Sequence, residues 1–349
     1  MDAATLQGRI AGTLGRAALA LPARVQSALG GPAPAAAPDL APEARLLARL
    51  ERMVAKEPSD PMVVTTPAAR RSFDAQAIAV GGRPRARVRA QDTTVAGSAG
   101  PLRARLYVPE SEKSTPAPLL VFFHGGGWVR GSIESHDAPC RVLADLSGAR
   151  VLSVDYRLAP EATFPAAADD ALAAFLDVAS RAQDFGADPA RLAVGGDSAG
   201  GNLAAVAAVS ARDAGGPAPA FQLLVYPGCD LSHKHPSIHA FATGYLLSEA
   251  DTDRYKALYV PDRAQWSDPR ASPLLTPDLA GVAPAFVVTA AADPLRDEGE
   301  AYAARLTDAG VPAVLHRHPH VHGFMNMASA RAARAGLAVM AEALRNSLH

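Results

Sequence analysis

The residues best suited to chemistry are a serine between glycines, Gly196-Asp197-Ser198-Ala199-Gly200, and the short segments that could serve it. A serine hydroxyl is a poor nucleophile at neutral pH and needs a base, which in turn needs an orienting acid. The apolar run Leu192–Val194 leads into the motif and a helical pattern, with Leu203, Val206 and Val209 on one face, leads out of it. A serine at such a strand-to-helix turn sits in strained backbone, with its hydroxyl above the sheet and a helix N-terminus beneath. Ala96-Gly97-Ser98-Ala99-Gly100 nearly matches but lacks the first glycine and a following helix.

Upstream, His124-Gly125-Gly126-Gly127-Trp128 follows the apolar run ending at Phe123. Glycines after a buried strand expose backbone N–H groups, and with the N–H of Ala199 these suit the oxyanion of a tetrahedral intermediate. No G-x-G-x-x-G or Gly-Lys-Ser/Thr spacing supports a phosphate loop instead. His124 reads as a structural residue of that loop.

The acid and base should follow the serine in chain order, acid first. Asp293 stands just past the run Phe286–Thr289, whereas Asp297 and Glu298 suit the first turn of the next helix, where acids complement the dipole. His316, His318, His320 and His322 alternate, as on one strand face. A metal site there is conceivable but has no carboxylate or cysteine partner at ligand spacing. His322 is the expected base: it comes last, past Pro319, with Gly323 free to turn a loop toward the serine. His320 is the alternative.

The elements that must position these groups are legible as well. Val88 and Ala90, then Leu102, Ala104, Leu106 and Val108, alternate with polar residues as half-buried strands do. Leu119–Phe123, Val151–Val154, Leu192–Val194, Leu223–Tyr226 and Phe286–Thr289 are continuous apolar runs between helical segments. That pattern predicts an α/β fold with a mostly parallel sheet covered on both faces. Before it, Leu6, Ile10 and Leu14 predict one amphipathic helix. Leu46, Leu47, Leu50 and Met53 predict another, with Pro42 in its first turn. These helices either pack on the core or help form a lid. A second lid candidate is the insertion from about 231 to 269, carrying Tyr245, Leu246, Leu247, Tyr255 and Tyr259. The expected organisation is therefore residues 1–85 as cap helices and linker, and 86–349 as the core.

Composition excludes several classes. The 349 residues carry a net charge of −1, 49% hydrophobic and 20% charged residues, which leaves no footprint for nucleic acid. No run approaches the roughly 18 apolar residues of a membrane span. Arg16 interrupts the Ala/Leu-rich stretch Ile10–Ala23, so a cytoplasmic protein is expected rather than a secreted one. Cys140 and Cys229 read as free thiols, and no cofactor is called for.

Together these motifs strongly resemble the hormone-sensitive-lipase-like esterases, the microbial group called family IV. The likeness runs from about Arg103 to the C-terminus. It rests on His124–Trp128, Asp155-Tyr156-Arg157-Leu158-Ala159-Pro160-Glu161, Gly196–Gly200, Tyr226-Pro227, Asp268–Pro273, Asp293–Glu298 and His322-Gly323-Phe324. The resemblance implies an α/β-hydrolase fold and a serine carboxylesterase acting on short- to medium-chain esters, with Ser198, Asp293 and His322 as its triad. It implies oxyanion donors from Gly126 and Gly127, with Gly125 beside them, and from Ala199. It also implies a cap built from the N-terminal helices and the insertion after Asp230, and a structural role for Asp155–Glu161. The His-rich run is a departure from the family pattern. Amide cleavage, acyl transfer to another acceptor and a non-catalytic ligand-binding role are the competing readings. In such folds an exposed C-terminal strand and helix often form a homodimer surface.

Overall fold

The computed structural model describes residues 2–54, 61–82, 87–113 and 115–349. The expected boundary at 85/86 lies outside the described residues.

The core is one eight-stranded sheet. It comprises β1 (Val88–Gly97), β2 (Gly100–Pro109), β3 (Ala117–Phe123), β4 (Arg150–Val154), β5 (Ala187–Asp197), β6 (Phe221–Val225), β7 (Ala285–Ala292) and β8 (Ala313–Val321). Spatial order is β1-β2-β4-β3-β5-β6-β7-β8, with the β1–β2 and β2–β4 pairs antiparallel and the remaining pairs parallel. Every residue of β3, β6 and β7 is buried, which is why they read as unbroken apolar runs rather than alternating ones. The near-match at Ala96–Gly100 is the turn of the β1–β2 hairpin, where Ser98 Oγ donates to Asp170.

Four helices precede the sheet: α1 (Ala3–Leu19), α2 (Ala23–Gly30), α3 (Pro42–Val54) and α4 (Pro67–Gly81). Helices α5 (Asp137–Ser147), α6 (Ala166–Ser180), α7 (Ala199–Asp213), α10 (Arg296–Asp308) and α11 (Arg331–Leu348) cover the two faces of the sheet, and α8 (Pro236–Ala240) and α9 (Glu249–Tyr259) lie in the insertion between β6 and β7. Among the described residues no helix is long and apolar enough to cross a membrane. Cys140 and Cys229 are buried free thiols.

Two helix readings are corrected. Leu6, Ile10 and Leu14 do form a stripe, but it faces outward, with Leu14 67% exposed. The buried face of α1 is Gly8, Gly12 and Leu19. A Cβ on Gly8 would lie 2.1 Å from the Ser72 carbonyl oxygen, and one on Gly12 would lie 2.5 Å from that of Gln76. The helix therefore docks on α4 by backbone approach, which side-chain hydropathy does not register. On α3, Leu46 is buried as expected, while Met53 is 74% exposed.

Candidate active site

Strand pairing brings the expected residues together. Phe123 of β3 pairs with Gly196 of β5, so the loop after β3 and the turn after β5 leave the sheet side by side. Likewise Ala292 of β7 pairs with Val321 of β8, placing Asp293 and His322 one residue beyond a shared rung. All four loops lie at the C-terminal ends of parallel strands, where open α/β sheets hold ligands.

Ser198 adopts φ 56° and ψ −119° between β5 and α7, a conformation costly for any residue with a side chain. Its N–H donates to the Val225 carbonyl at 2.8 Å, which holds the turn in place. The flanking glycines are sterically required. A Cβ at Gly196 would meet the Phe123 carbonyl oxygen at 2.4 Å, and one at Gly200 would meet it at 1.9 Å.

His322 Nε2 stands 2.9 Å from Ser198 Oγ, and His322 Nδ1 stands 2.8 Å from Asp293 Oδ2. Asp293 is fully buried, and its other oxygen accepts the Leu295 N–H at 2.8 Å. A buried carboxylate on Nδ1 fixes the tautomer that leaves Nε2 able to accept the serine proton. His320 points elsewhere: its Nε2 lies 3.3 Å from Glu43 of α3, and its Nδ1 accepts the Val321 N–H. His318 Nε2 lies 3.0 Å from the Ala332 carbonyl. Burial, with His320 beside it, pushes its pKa down to about 4, so it is neutral at neutral pH. Among the described residues no three His, Cys, Asp or Glu side chains converge as a group able to hold a metal ion.

The glycine loop departs from expectation at one point. The Gly125 N–H donates to Asp197 Oδ1 at 2.8 Å, so it is already engaged. The N–H groups of Gly126, Gly127 and Ala199 make no hydrogen bond among the described residues. Of the four expected donors, those three are therefore the ones whose N–H groups have no partner among the described residues. His124 is buried, stacks on Tyr156, and sets its Nδ1 2.9 Å from the Gly125 carbonyl. Burial holds its pKa low, in keeping with a structural role. Asp155–Glu161 braces the same loop. Tyr156 O–H donates to the His124 carbonyl, Asp155 accepts the Ile133 N–H, and Arg70 of α4 pairs with Glu161 at 2.7 Å.

Sequence reasoning missed Asp197 and His136. Asp197 is buried under the loop, with His136 Nε2 at 3.1 Å and the Tyr226 hydroxyl donating at 3.3 Å. Burial alone would raise its pKa, but His136 and the Gly125 N–H outweigh that and hold it below the usual carboxylate value. Asp197 was visible beside the serine; its partner 61 positions upstream was not.

Above the serine lies a cavity of about 360 Å³. Ala11 and Gly12 of α1, Leu47 of α3, Phe73 and Val80 of α4, and Leu246, Leu247 and Tyr255 of the insertion close it. Both segments read as lid candidates thus contribute walls.

Known proteins resemble this chain over most of its length. A family described as having the alpha/beta hydrolase fold matches residues 120–326. The carboxylic ester hydrolase LipN of Mycobacterium tuberculosis is 47% identical over 251 residues, 70% of this chain and 66%, just under two thirds, of that protein. An ethyl acetate hydrolase of Pseudomonas putida is 41% identical over 253 residues, 71% of this chain and 79% of its own. Among solved structures, the ester hydrolase EH1AB1 from the metagenome of Lake Arreo, complexed with a derivative of bipyridine phosphonate, superposes with a TM-score of 0.82. It is 42% identical, with 88% of this chain and 98% of that one covered.

Proposed function

From the premise that this chain belongs to the hormone-sensitive-lipase-like branch of the alpha/beta hydrolases and is a carboxylic ester hydrolase, we propose that Ser198, His322 and Asp293 are its catalytic triad. The observation that carries this reading is the unbroken run from Ser198 Oγ through the imidazole to Asp293, at 2.9 and 2.8 Å.

In this mechanism His322 Nε2 takes the proton of Ser198 as Oγ attacks the ester carbonyl. Asp293, unable to relax into solvent, stabilises the imidazolium that forms. The carbonyl oxygen becomes an oxyanion held by the N–H groups of Gly126, Gly127 and Ala199, each donor lowering the barrier by about 3 kcal/mol. His322 then gives its proton to the departing alcohol, and a water activated by the same imidazole cleaves the acyl-enzyme. The cavity, walled mainly by apolar side chains and about 360 Å³ in volume, supports esters of short to medium acyl chains. The N-terminal helices and the 231–269 insertion act as its cap.

The test is hydrolysis of p-nitrophenyl esters of increasing acyl length by wild type and Ser198→Ala. The variant should lose activity by roughly 10⁴-fold or more while melting at the wild-type temperature. Wild-type turnover surviving in Ser198→Ala would overturn the assignment. An acyl optimum beyond medium chains would overturn the substrate reading alone.

A further inference from the structure

One wall of the cavity is polar in a way that ester hydrolysis does not use. Glu298, in the first turn of α10, is 1% exposed and lines the cavity. Its Oε1 accepts the Cys229 N–H at 2.7 Å, whereas Oε2 has no partner among the described residues. Lys256 of α9 is also buried and lines the cavity, and its Nζ makes one hydrogen bond among the described residues, to the Asp230 carbonyl at 3.3 Å. Trp128 Nε1 is buried there without an acceptor among the described residues. Gly228 sets the distance to the chemistry. Its N–H donates to the Ser198 carbonyl at 3.3 Å, and a Cβ placed on it would lie 3.7 Å from both Glu298 Oε1 and the Trp128 ring.

A purely hydrocarbon substrate would leave Glu298 Oε2 and Trp128 Nε1 unpaired and Lys256 Nζ with its one acceptor, at about 1–3 kcal/mol for each unpaired group. An ammonium would oppose Lys256, and a carboxylate would suit Lys256 only while Glu298 is protonated. A neutral group that both donates and accepts suits the pair. The leaving oxygen must reach His322 Nε2, so the alcohol arm lies along His322, Gly323 and Asn326, and the acyl arm lies along Trp128, Gly228 and Glu298.

We infer that Glu298 and Lys256 form a subsite for a hydroxyl group on the acyl chain, making this an esterase for short hydroxyacyl esters. The inference rests on ester hydrolysis at Ser198. The hydroxyl accepts from Lys256 Nζ and shares its own proton with Glu298 Oε2. Burial pushes the Glu298 carboxyl up to about 8, against the lowering effect of Lys256. At neutral pH it is therefore largely protonated and can donate as well as accept.

The test compares kcat/KM by pH-stat for ethyl 3-hydroxybutyrate, ethyl butyrate and 2-hydroxyethyl butyrate, using wild type, Lys256→Met and Glu298→Gln, each checked by thermal melting. Wild type should prefer the 3-hydroxy ester over ethyl butyrate by roughly tenfold or more, with no matching preference for 2-hydroxyethyl butyrate. In Lys256→Met that ratio should fall toward one, whatever becomes of either rate alone. A wild-type ratio of one or less, or a ratio that survives Lys256→Met, overturns the subsite. A preference for 2-hydroxyethyl butyrate instead overturns its placement on the acyl side. If folded wild type turns over none of the three, ester hydrolysis at Ser198 itself fails and this inference with it.

Discussion

Asp197 moves no proton in the proposed reaction, yet it ties the glycine loop to the turn that carries Ser198. Its bonds to the Gly125 N–H, His136 and Tyr226 fix where the neighbouring N–H groups point, and a donor helps only if it aims at the oxyanion. In Asp197→Asn the charge is lost while the shape stays. A charge-assisted hydrogen bond is worth about 1.5–3 kcal/mol, so kcat should fall roughly 10- to 100-fold, equally for short and longer acyl esters. KM should move much less. Steady-state kinetics alongside a melting curve checks this, and an unchanged kcat would show that the loop is held without the carboxylate. The same residues mark how far the sequence could be read. Ser198, Asp293 and His322 sit in short local patterns in the expected chain order, so their convergence was legible. The engagement of the Gly125 N–H was not, because its acceptor is 72 positions away. Glu298 was read as an ordinary first-turn acid of a helix. Its burial against Cys229 and Lys256 depends on how the insertion folds back, which no local pattern encodes.

Several polar contacts tie the N-terminal helices to the core, among them those of Arg70 on α4 and a buried set made by Glu43 on α3. Glu43 meets His320 at 3.3 Å and accepts the N–H groups of Ala332 and Ala333 at the start of α11. Burial would raise its pKa, but those partners together outweigh it and hold the folded-state value below the ordinary 4.5. A carboxyl with a depressed folded-state pKa contributes stability above its unfolded value, and that contribution drains away as pH falls through the folded one. Glu43→Gln lacks this contribution at every pH. The variant should be less stable than wild type by about 1–3 kcal/mol at pH 7, and the gap should close as pH is lowered below about 4.5. Chemical denaturation at both pH values measures it; a gap that is constant with pH would mean the carboxylate is not the stabilising form. Helix α1 teaches a different lesson. Its apolar periodicity correctly predicted a helix but pointed to the wrong face, because Gly8 and Gly12 make contact through absence of side chain. Hydropathy scores what a residue carries, and a close backbone approach depends on what it lacks.

At the scale of the whole molecule, the sheet and the segments over it have separable duties. Ser198, Asp293 and His322, the proposed triad, all hang from β5, β7 and β8, whose pairings involve nothing before residue 117 except through neighbouring strands. The first two helices supply none of those groups. They contribute Ala11, Gly12 and Gly15 to the cavity wall, and Gly30 packs against Arg45 and Leu46 of α3. Removing residues 2–31 should therefore open the cavity while leaving the Ser198–His322–Asp293 run in place. Bound esters would lose apolar contact, so KM for a butyrate ester should rise several-fold, at roughly 25 cal/mol for each Å² of lost burial. The kcat should stay within about tenfold of wild type, because transition-state contacts at the proposed triad and oxyanion donors are untouched. Michaelis–Menten kinetics on a short and a medium p-nitrophenyl ester separates the two quantities, and the acyl optimum should broaden toward longer chains once the wall is gone. A collapse of kcat in a truncated protein that still melts cooperatively would show that the N-terminal helices position the reacting groups, and that cap and catalytic core cannot be told apart in this chain.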